Sequence, residues 1–131
     1  MLNEHPAFTI LLSTDMEASK TFYRDTLGME LVREDVYDGV LDRMVFRTGE
    51  AAQFVISHST IGTSDTQTQM AWRVPDIRVA IAELRERGVH VEEYDYPDLK
   101  TIDGVADMRH SWAAWFVDPC RNVLAVVEPK S

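Results

Sequence analysis

The chain lacks the features that mark disulfide-bonded, zinc-binding and membrane-spanning proteins. Its 131 residues include one cysteine, Cys120, so no disulfide can form within the chain and no zinc-type cysteine spacing exists. This favours a reducing compartment, and we expect a cytoplasmic protein. No apolar run approaches the roughly 18 residues of a membrane-spanning helix, and the N-terminal stretch AFTILL is too short for a signal peptide.

Positive charge is also scarce. The 13 Lys and Arg residues stand against 22 Asp and Glu residues, which gives a formal net charge of −9. A chain this acidic lacks the basic surface that binds nucleic-acid phosphates, so we expect no nucleic-acid partner and no membrane partner. The charge itself is compatible with two interpretations, solubility or attraction of a cationic ligand.

The most informative feature that is present is an internal repeat. Two stretches correspond, FTILLSTDMEASKTFYRDTLGMELV from Phe8 and QMAWRVPDIRVAIAELRERGVHVEE from Gln69. Each has a short apolar run, an Asp suited to a helix N-cap, a helical pattern and a terminating Gly. These punctuating residues are Asp15 and Gly28 in the first half, and Asp76 and Gly88 in the second half.

The ends of the two halves correspond as well. VFRTGEAAQFVISH from Val45 and WFVDPCRNVLAVVE from Trp115 both predict a strand, a turn and a strand. Each half is therefore predicted to run strand–helix–strand–strand–strand, with a Thr- and Ser-rich linker at residues 60–68. The apolar helix positions are expected to be core: Phe22, Tyr23 and Leu27 in the first helix, and Ile77, Ala80, Ile81 and Leu84 in the second.

These blocks resemble the vicinal oxygen chelate superfamily, which includes glyoxalase I, extradiol dioxygenases and bleomycin-resistance proteins. The matching residues are TDMEASKTFYRDTLGMEL, its weaker echo VPDIRVAIAELRERGVHV, and AAWFVDPCRNVLAVVEP. EYDYPDLKTIDGVA also resembles a segment of small bacterial members with unassigned activity. The resemblance implies one α+β domain over residues 1–131, built from two tandem βαβββ modules at about 6–59 and 69–129. It further implies an open curved-sheet cleft with the helices outside, and a homodimer.

One turn departs from the family pattern. Where relatives read Asp-Pro-Asp-Gly-Asn, residues 118–122 read DPCRN, with Arg121 at the glycine position. A residue with a side chain must there adopt a positive φ, at a cost of about 1 kcal/mol, or change the turn. We expect a looser hairpin that carries Cys120 on an exposed tip.

The resemblance also places four metal-ligand positions. Metal-dependent relatives use a His or Gln on the first strand and a Glu on the last strand of each module. The corresponding residues here are Phe8, Val55, Gln69 and Ala125, of which only Gln69 has an oxygen to offer. Because a divalent ion needs three or four N or O ligands, we expect neither a metal nor another cofactor at these positions.

Strand alternation then predicts what lines the emptied cleft. Side chains two apart share a face, so Phe8, Ile10 and Leu12 belong together, as do alternate residues of the second module's strands. If Val117 pairs with Val123, Trp115 lies opposite Ala125 on that face. The predicted ligand-binding residues are Phe8, Ile10, Gln69, Arg73, Trp115 and Ala125. Periodicity leaves open whether Phe8 and Trp115 contact a ligand or plug the cleft as core.

The segment at residues 94–111, YDYPDLKTIDGVADMRHS, is long and mostly polar for a connection. One interpretation is an acidic lid over the cleft, and the other is a solvated loop or a dimer contact.

Two function classes remain at this point. The favoured one is a metal-free protein of the glyoxalase/bleomycin-resistance type that binds a small organic molecule, cationic or aromatic, in an apolar cleft. The alternative is a metal-dependent lyase, isomerase or dioxygenase that uses Gln69 with His58, Glu128 or His110. The four histidines show no metal-binding spacing, and no catalytic residue can be assigned from the sequence.

Overall fold

The computed structural model of the chain describes residues 1–63 and 66–131. It divides into two compact units, Met1–Thr63 and Ser64–Ser131. Residues 64 and 65 of the predicted 60–68 linker lie outside the described residues. Over the described ranges, every helix is too short or too polar to cross a bilayer.

The first unit has the predicted strand–helix–strand–strand–strand order. A short 3₁₀ turn at Leu2–Glu4 precedes a four-stranded sheet of order β1-β4-β3-β2, in which β1 and β4 are parallel. Its elements are β1 (Thr9–Ser13), α1 (Met16–Lys20), a π-helical continuation (Thr21–Thr26), β2 (Glu30–Tyr37), β3 (Val40–Thr48) and β4 (Ala52–His58).

The first helix begins and ends at the predicted residues. The Asp15 carboxylate accepts a hydrogen bond from the Ala18 amide at 3.1 Å, and Gly28 takes a φ of 75°. Between them the helix widens, because the amide of Leu27 donates to the Phe22 carbonyl five residues back. The first half of the repeat has one helical residue more than the second, and this wider turn accommodates it.

One face of the first sheet packs on this helix. Tyr23 is fully buried there, with ring centroids 5.8 Å from Phe46 and 5.6 Å from Phe54. Leu11 and Met44 are buried with them. This face is the core of the unit, so the opposite face carries the alternate residues of every strand.

The second unit contains more strands than the repeat predicts. Its sheet has the order β5-β10-β9-β8-β7-β6, again with the first strand parallel to the last. Its elements are β5 (Thr68–Arg73), α2 (Ile77–Glu86), β6 (Asp95–Tyr96), β7 (Leu99–Ile102), β8 (Val105–Asp107), β9 (Ser111–Val117) and β10 (Val123–Pro129).

The helix α2 is capped and packed as predicted. The Asp76 carboxylate accepts from the amides of Arg78 and Val79. The Ile77 amide donates to the Glu128 carboxylate at 2.8 Å. The buried stripe is Ile77 and Ile81, with Ala80 and Leu84 half-buried beside it.

The segment after α2 differs from the prediction in two ways. Residues 89–94 form no regular strand, although Val89 and Val91 are buried. The segment expected to be a loop instead forms β6, β7 and β8, which extend the sheet. Its turns are fixed by side chains: the Glu93 carboxylate accepts hydrogen bonds from the Gly104 amide and the Thr101 hydroxyl. The polar composition of the segment conceals these strands, because their pairing is between backbone groups and does not require apolar side chains.

The hairpin between β9 and β10 has the predicted register and an unexpected turn. Val117 pairs with Val123. Arg121 takes a φ of 74°, the positive value that relatives assign to glycine. The expected exposed tip is wrong, because Cys120 is 8% exposed. The buried Asp118 carboxylate orders the turn by accepting hydrogen bonds from the amides of Cys120 and Asn122.

The strained turn yields a stability prediction. Arg121→Gly should raise the free energy of unfolding by about 1 kcal/mol, because glycine adopts a positive φ without the steric cost of a Cβ. Urea denaturation measures the change. Arg87→Gly, at a φ of −85°, is the control and should not stabilise the chain. Stabilisation of both variants to the same extent would contradict strain at Arg121.

Candidate functional site

The face of the first sheet that does not pack on the helix carries a groove of about 570 Å³. Its centre is the cross-strand pair Val45 and Val55, with Ile10 beside Val55 on the parallel strand β1. Its lining includes Phe8, Val32, Arg33, Arg43, Val45 and Val55.

Large apolar side chains of this face are exposed. Phe8 is 57% exposed and Ile10 is 54% exposed, whereas their strand neighbour Leu11 on the opposite face is buried. The floor of the groove, Val45 and Val55, is covered. Full burial of a side chain of this size contributes roughly 1.5–3 kcal/mol, so covering the exposed half of each against a ligand contributes about 1 kcal/mol. The face can therefore bind an apolar molecule.

The charged groups of this face differ in how they are paired. The Arg33 guanidinium donates to Asp35 at 2.7 Å, and Arg47 donates to Glu30 at 3.0 Å. The Arg43 guanidinium forms no hydrogen bond or ion pair with any residue that the structure describes. The groove thus combines an apolar floor with the guanidinium of Arg43, which no described residue pairs with.

The corresponding face of the second unit is filled by the protein. Trp115 is 8% exposed and packs in a cluster with Ala125, which is 2% exposed. The ring of Tyr94 meets Trp115 edge-on, with centroids 5.6 Å apart, and the Trp115 indole donates to the Thr68 hydroxyl at 2.9 Å. In this unit Trp115 is packed as core.

The two polar residues predicted on that face have different surroundings. Gln69 is half-buried and held at both ends of its amide: its nitrogen donates to Asn122 at 2.8 Å and its oxygen accepts from the Val123 amide at 2.9 Å. Arg73 is exposed. Gln69 therefore braces β5 against the start of β10.

The family's metal positions do not provide the ligands for an ion. In the first unit they are Phe8 and Val55, which have no donor atom. In the second unit they are Gln69, whose oxygen already accepts a hydrogen bond, and Ala125. Throughout residues 1–63 and 66–131, no three His, Cys, Asp or Glu side chains group as a metal site would require. The residues present do not fit the metal that the family's enzymes use.

The structure brings together only part of the predicted set, and it adds residues that sequence reasoning missed. Phe8 and Ile10 share the open face of the first unit, while the other four predicted residues belong to the second unit. The groove residues that were missed include Val32, Arg33, Arg43, Val45 and Gln53. Arg43 could have been found from strand alternation: Val55 pairs with Val45, and Arg43 is two residues from Val45 on the same face of β3.

A smaller groove of about 460 Å³ lies in the second unit. Trp112 lines it together with charged groups of both signs. Lys130 lies 4.1 Å from the Trp112 ring centroid and donates to Asp107, and this contact, with the Arg109 amide, lowers the pKa of the Asp107 carboxyl. Its charged groups are in part already paired, so this groove is the weaker candidate.

Comparison with known proteins identifies the family. Residues 5–126 match the model of the Glyoxalase/Bleomycin resistance protein/Dioxygenase superfamily. The chain belongs to this superfamily. No match was found among curated proteins.

Solved structures of the superfamily share this fold. A glyoxalase family protein from Enterococcus faecalis has a TM-score of 0.72 at 22% identity, covering 98% of this chain and 100% of its own. A bleomycin-binding protein complexed with bleomycin has a TM-score of 0.70 at 17% identity, covering 96% and 99%. TnmS3, an antibiotic-binding protein from Streptomyces, has a TM-score of 0.66 at 21% identity, covering 96% and 98%. At these identities the likeness establishes the fold.

The packing of Tyr94 leads to a pH-dependence prediction. Burial, followed by the nearby Glu92 carboxylate and Tyr96, raises the pKa of the Tyr94 phenol above its ordinary value of 10.0. The folded state therefore holds this proton more tightly than the unfolded state does. Its contribution to stability is complete below pH 10 and is lost as the pH rises through the folded pKa.

Urea midpoints measured from pH 8 to pH 11 test this. The decrease in stability across that range should be smaller for Tyr94→Phe than for the unaltered chain. Tyr37→Phe, which alters a ring that is 76% exposed, is the control and should retain the full decrease. Equal decreases in all three proteins would contradict the assignment to Tyr94.

Proposed function

We propose that this superfamily member is a metal-free protein that binds a small organic molecule, in the manner of its glyoxalase/bleomycin-resistance relatives. The observation that carries the proposal is the open face of the first sheet, where Phe8 and Ile10 are more than half exposed above a floor of Val45 and Val55. Pockets for organic ligands combine an apolar lining with few polar groups, as this groove does.

An aromatic ligand suits this face best. Phe8 offers a ring for stacking, and Val45 and Val55 line the same groove with apolar side chains. Two structural relatives bind antibiotics, bleomycin in one case. The net charge of −9 favours the approach of a cationic molecule at long range, whereas the Arg43 guanidinium lines the groove itself. A neutral aromatic probe therefore tests the apolar contact separately from charge.

The proposed ligand contacts are Phe8 and Ile10 in the first unit, and Gln69, Arg73, Trp115 and Ala125 in the second. The exposure of Phe8 and Ile10 supports the first pair directly. Trp115 and Ala125 belong to a buried cluster against which Tyr94, Leu99 and Val127 pack, so a ligand that contacts them has to displace part of this packing.

We also propose that the protein acts as a cytoplasmic homodimer. The single buried thiol of Cys120 suits a reducing compartment. Exposed apolar side chains at the β2–β3 hairpin, Val36, Tyr37 and Val40, provide surface for contact with a second copy.

No observation favours the enzymatic alternative. Its suggested donors are engaged or isolated: Glu128 accepts the Ile77 amide at the start of α2, and Gln69 is held by Asn122 and Val123. In the described part of the chain, His58 and His110 belong to no cluster of three metal-ligating side chains.

Metal content tests the first half of the proposal. Protein purified without chelators and then dialysed should contain Zn, Ni, Mn and Fe at far below one atom per chain, because the family's ligand positions here carry only one oxygen donor. Elemental analysis by mass spectrometry measures it. One equivalent of any of these metals, retained after dialysis, would contradict the proposal.

Probe binding tests the second half. The neutral aromatic dye N-phenyl-1-naphthylamine should bind with an increase in fluorescence. Phe8→Ala should weaken its affinity by about ten-fold, since a lost apolar contact of about 1.4 kcal/mol has that effect. Ile61→Ala removes an exposed apolar side chain outside the groove lining and should leave the affinity unchanged.

A parallel titration of Trp115→Phe tests the second unit's contacts. Weakened dye binding in this variant supports the proposed contact with Trp115. Unchanged affinity in both Phe8→Ala and Trp115→Phe would contradict the proposed binding residues.

A further inference from the structure

The groove of the first unit contains an arginine, Arg43, whose guanidinium forms no contact with the described residues that stabilises the fold. Arg43 lies on the groove face of β3, two residues from the floor residue Val45. Asp35 lies opposite it in the β2–β3 register, but the Asp35 carboxylate is bound by Arg33 at 2.7 Å. In the part of the chain that the structure describes, the guanidinium of Arg43 has no hydrogen-bonding or ion-pair partner.

The local charge of the groove is therefore opposite in sign to that of the whole chain. Arg33 and Asp35 offset each other, which leaves Arg43 as the uncompensated charge beside the apolar floor. The net charge of −9 acts through solvent, where salt screens it beyond about 8 Å at physiological ionic strength. A bound ligand instead meets the guanidinium at contact distance, where pairing with an anion is strongest.

The position of the charge also limits the shape of the ligand. Along the paired strands, Arg43 is opposite Ser57, Val45 is opposite Val55, and Arg47 is opposite Gln53. The apolar pair thus lies between Arg43 at one end and the Gln53 amide at the other, a span of four residues or roughly 14 Å. Phe8 lines the same groove. This pattern fits an amphipathic molecule with an apolar body and a charged group at one end.

We infer that the ligand of this groove is an organic anion, an aromatic carboxylate, sulfonate or phosphonate whose charged group binds Arg43 while its apolar body covers Val45, Val55 and Phe8. The inference rests on the proposed function and assigns the ligand class of the same groove. It selects an anion over the cationic ligand that the net charge favours. Arg43 is then the residue that determines charge specificity.

A matched pair of dyes tests the inference. 8-Anilinonaphthalene-1-sulfonate and N-phenyl-1-naphthylamine share one aromatic skeleton and differ in the sulfonate. The unaltered protein should bind the sulfonate at least about ten-fold more tightly than the neutral dye, because a hydrogen bond to a charged group has an effect of that size. Arg43→Gln should remove this preference and leave the neutral dye's affinity within about two-fold.

Two further variants serve as controls. Arg47→Gln removes an arginine of the same strand and face that pairs with Glu30 outside the groove lining, and it should retain the preference for the sulfonate. Arg43→Lys keeps the charge and should retain part of the preference for the sulfonate dye. Raising the salt concentration should weaken the binding of the sulfonate dye and leave that of the neutral dye unchanged.

The outcomes separate this inference from the proposed function. Equal binding of the two dyes, or an unaltered preference in Arg43→Gln, overturns the anion assignment. If the neutral dye still depends on Phe8 in that case, the groove remains the binding site and only its charge specificity is wrong. If neither dye depends on Phe8, the groove is not the site and the proposed function fails as well.

Discussion

The structure of the first unit depends on the two-residue alternation of its strands. Every side chain that packs on the helix, from Leu11 to Phe54, has neighbours in sequence that point to the opposite face. Because the helix packs on one face alone, Ile10 lies on the opposite face and is 54% exposed there, and its strand partner Val55 lines the groove. The open groove is thus a direct consequence of building a small unit from one helix and one sheet.

In the second unit, the corresponding face of the sheet is covered by side chains of the same unit. The extra strands β6–β8 lengthen the sheet, and the segment leading into them places Tyr94 against Trp115. The hydrogen bonds of Glu93 and Thr101 hold that segment in place. The repeat in sequence therefore produces two similar sheets with different surfaces, one open and one covered by an aromatic ring.

Much of this architecture was predictable because its signals are local. Asp15 and Asp76 cap their helices, Gly28 ends the first helix, and Val117 pairs with Val123, all from patterns a few residues long. The prediction that Cys120 is exposed was wrong. It was based on the replacement of glycine by Arg121, whereas the turn is ordered by hydrogen bonds to the Asp118 carboxylate. The strands after α2 were missed because they pair through backbone groups in a polar segment, and composition does not reveal such pairing.

The groove was only partly predictable. That Phe8 and Ile10 share a face follows from alternation along the first strand, and Phe8 lines the groove. Predicting the role of Arg43 requires knowing that Val45 pairs with Val55 and that the Asp35 carboxylate binds Arg33. Both contacts are visible only in the three-dimensional structure. On this face Arg33 is paired with Asp35 and the guanidinium of Arg43 is unpaired among the described residues. Amino-acid composition cannot show which charged side chains pair.

The central claim is that the open face of the first sheet binds an organic molecule through apolar contact, without metal ligation. Methyl resonances of the isoleucines and valines, followed by NMR during titration with 8-anilinonaphthalene-1-sulfonate, test it directly. The account predicts that the methyl signals of Ile10, Val45 and Val55 shift together and saturate. Shifts confined to other methyl groups, or shifts that require added divalent metal, would contradict it.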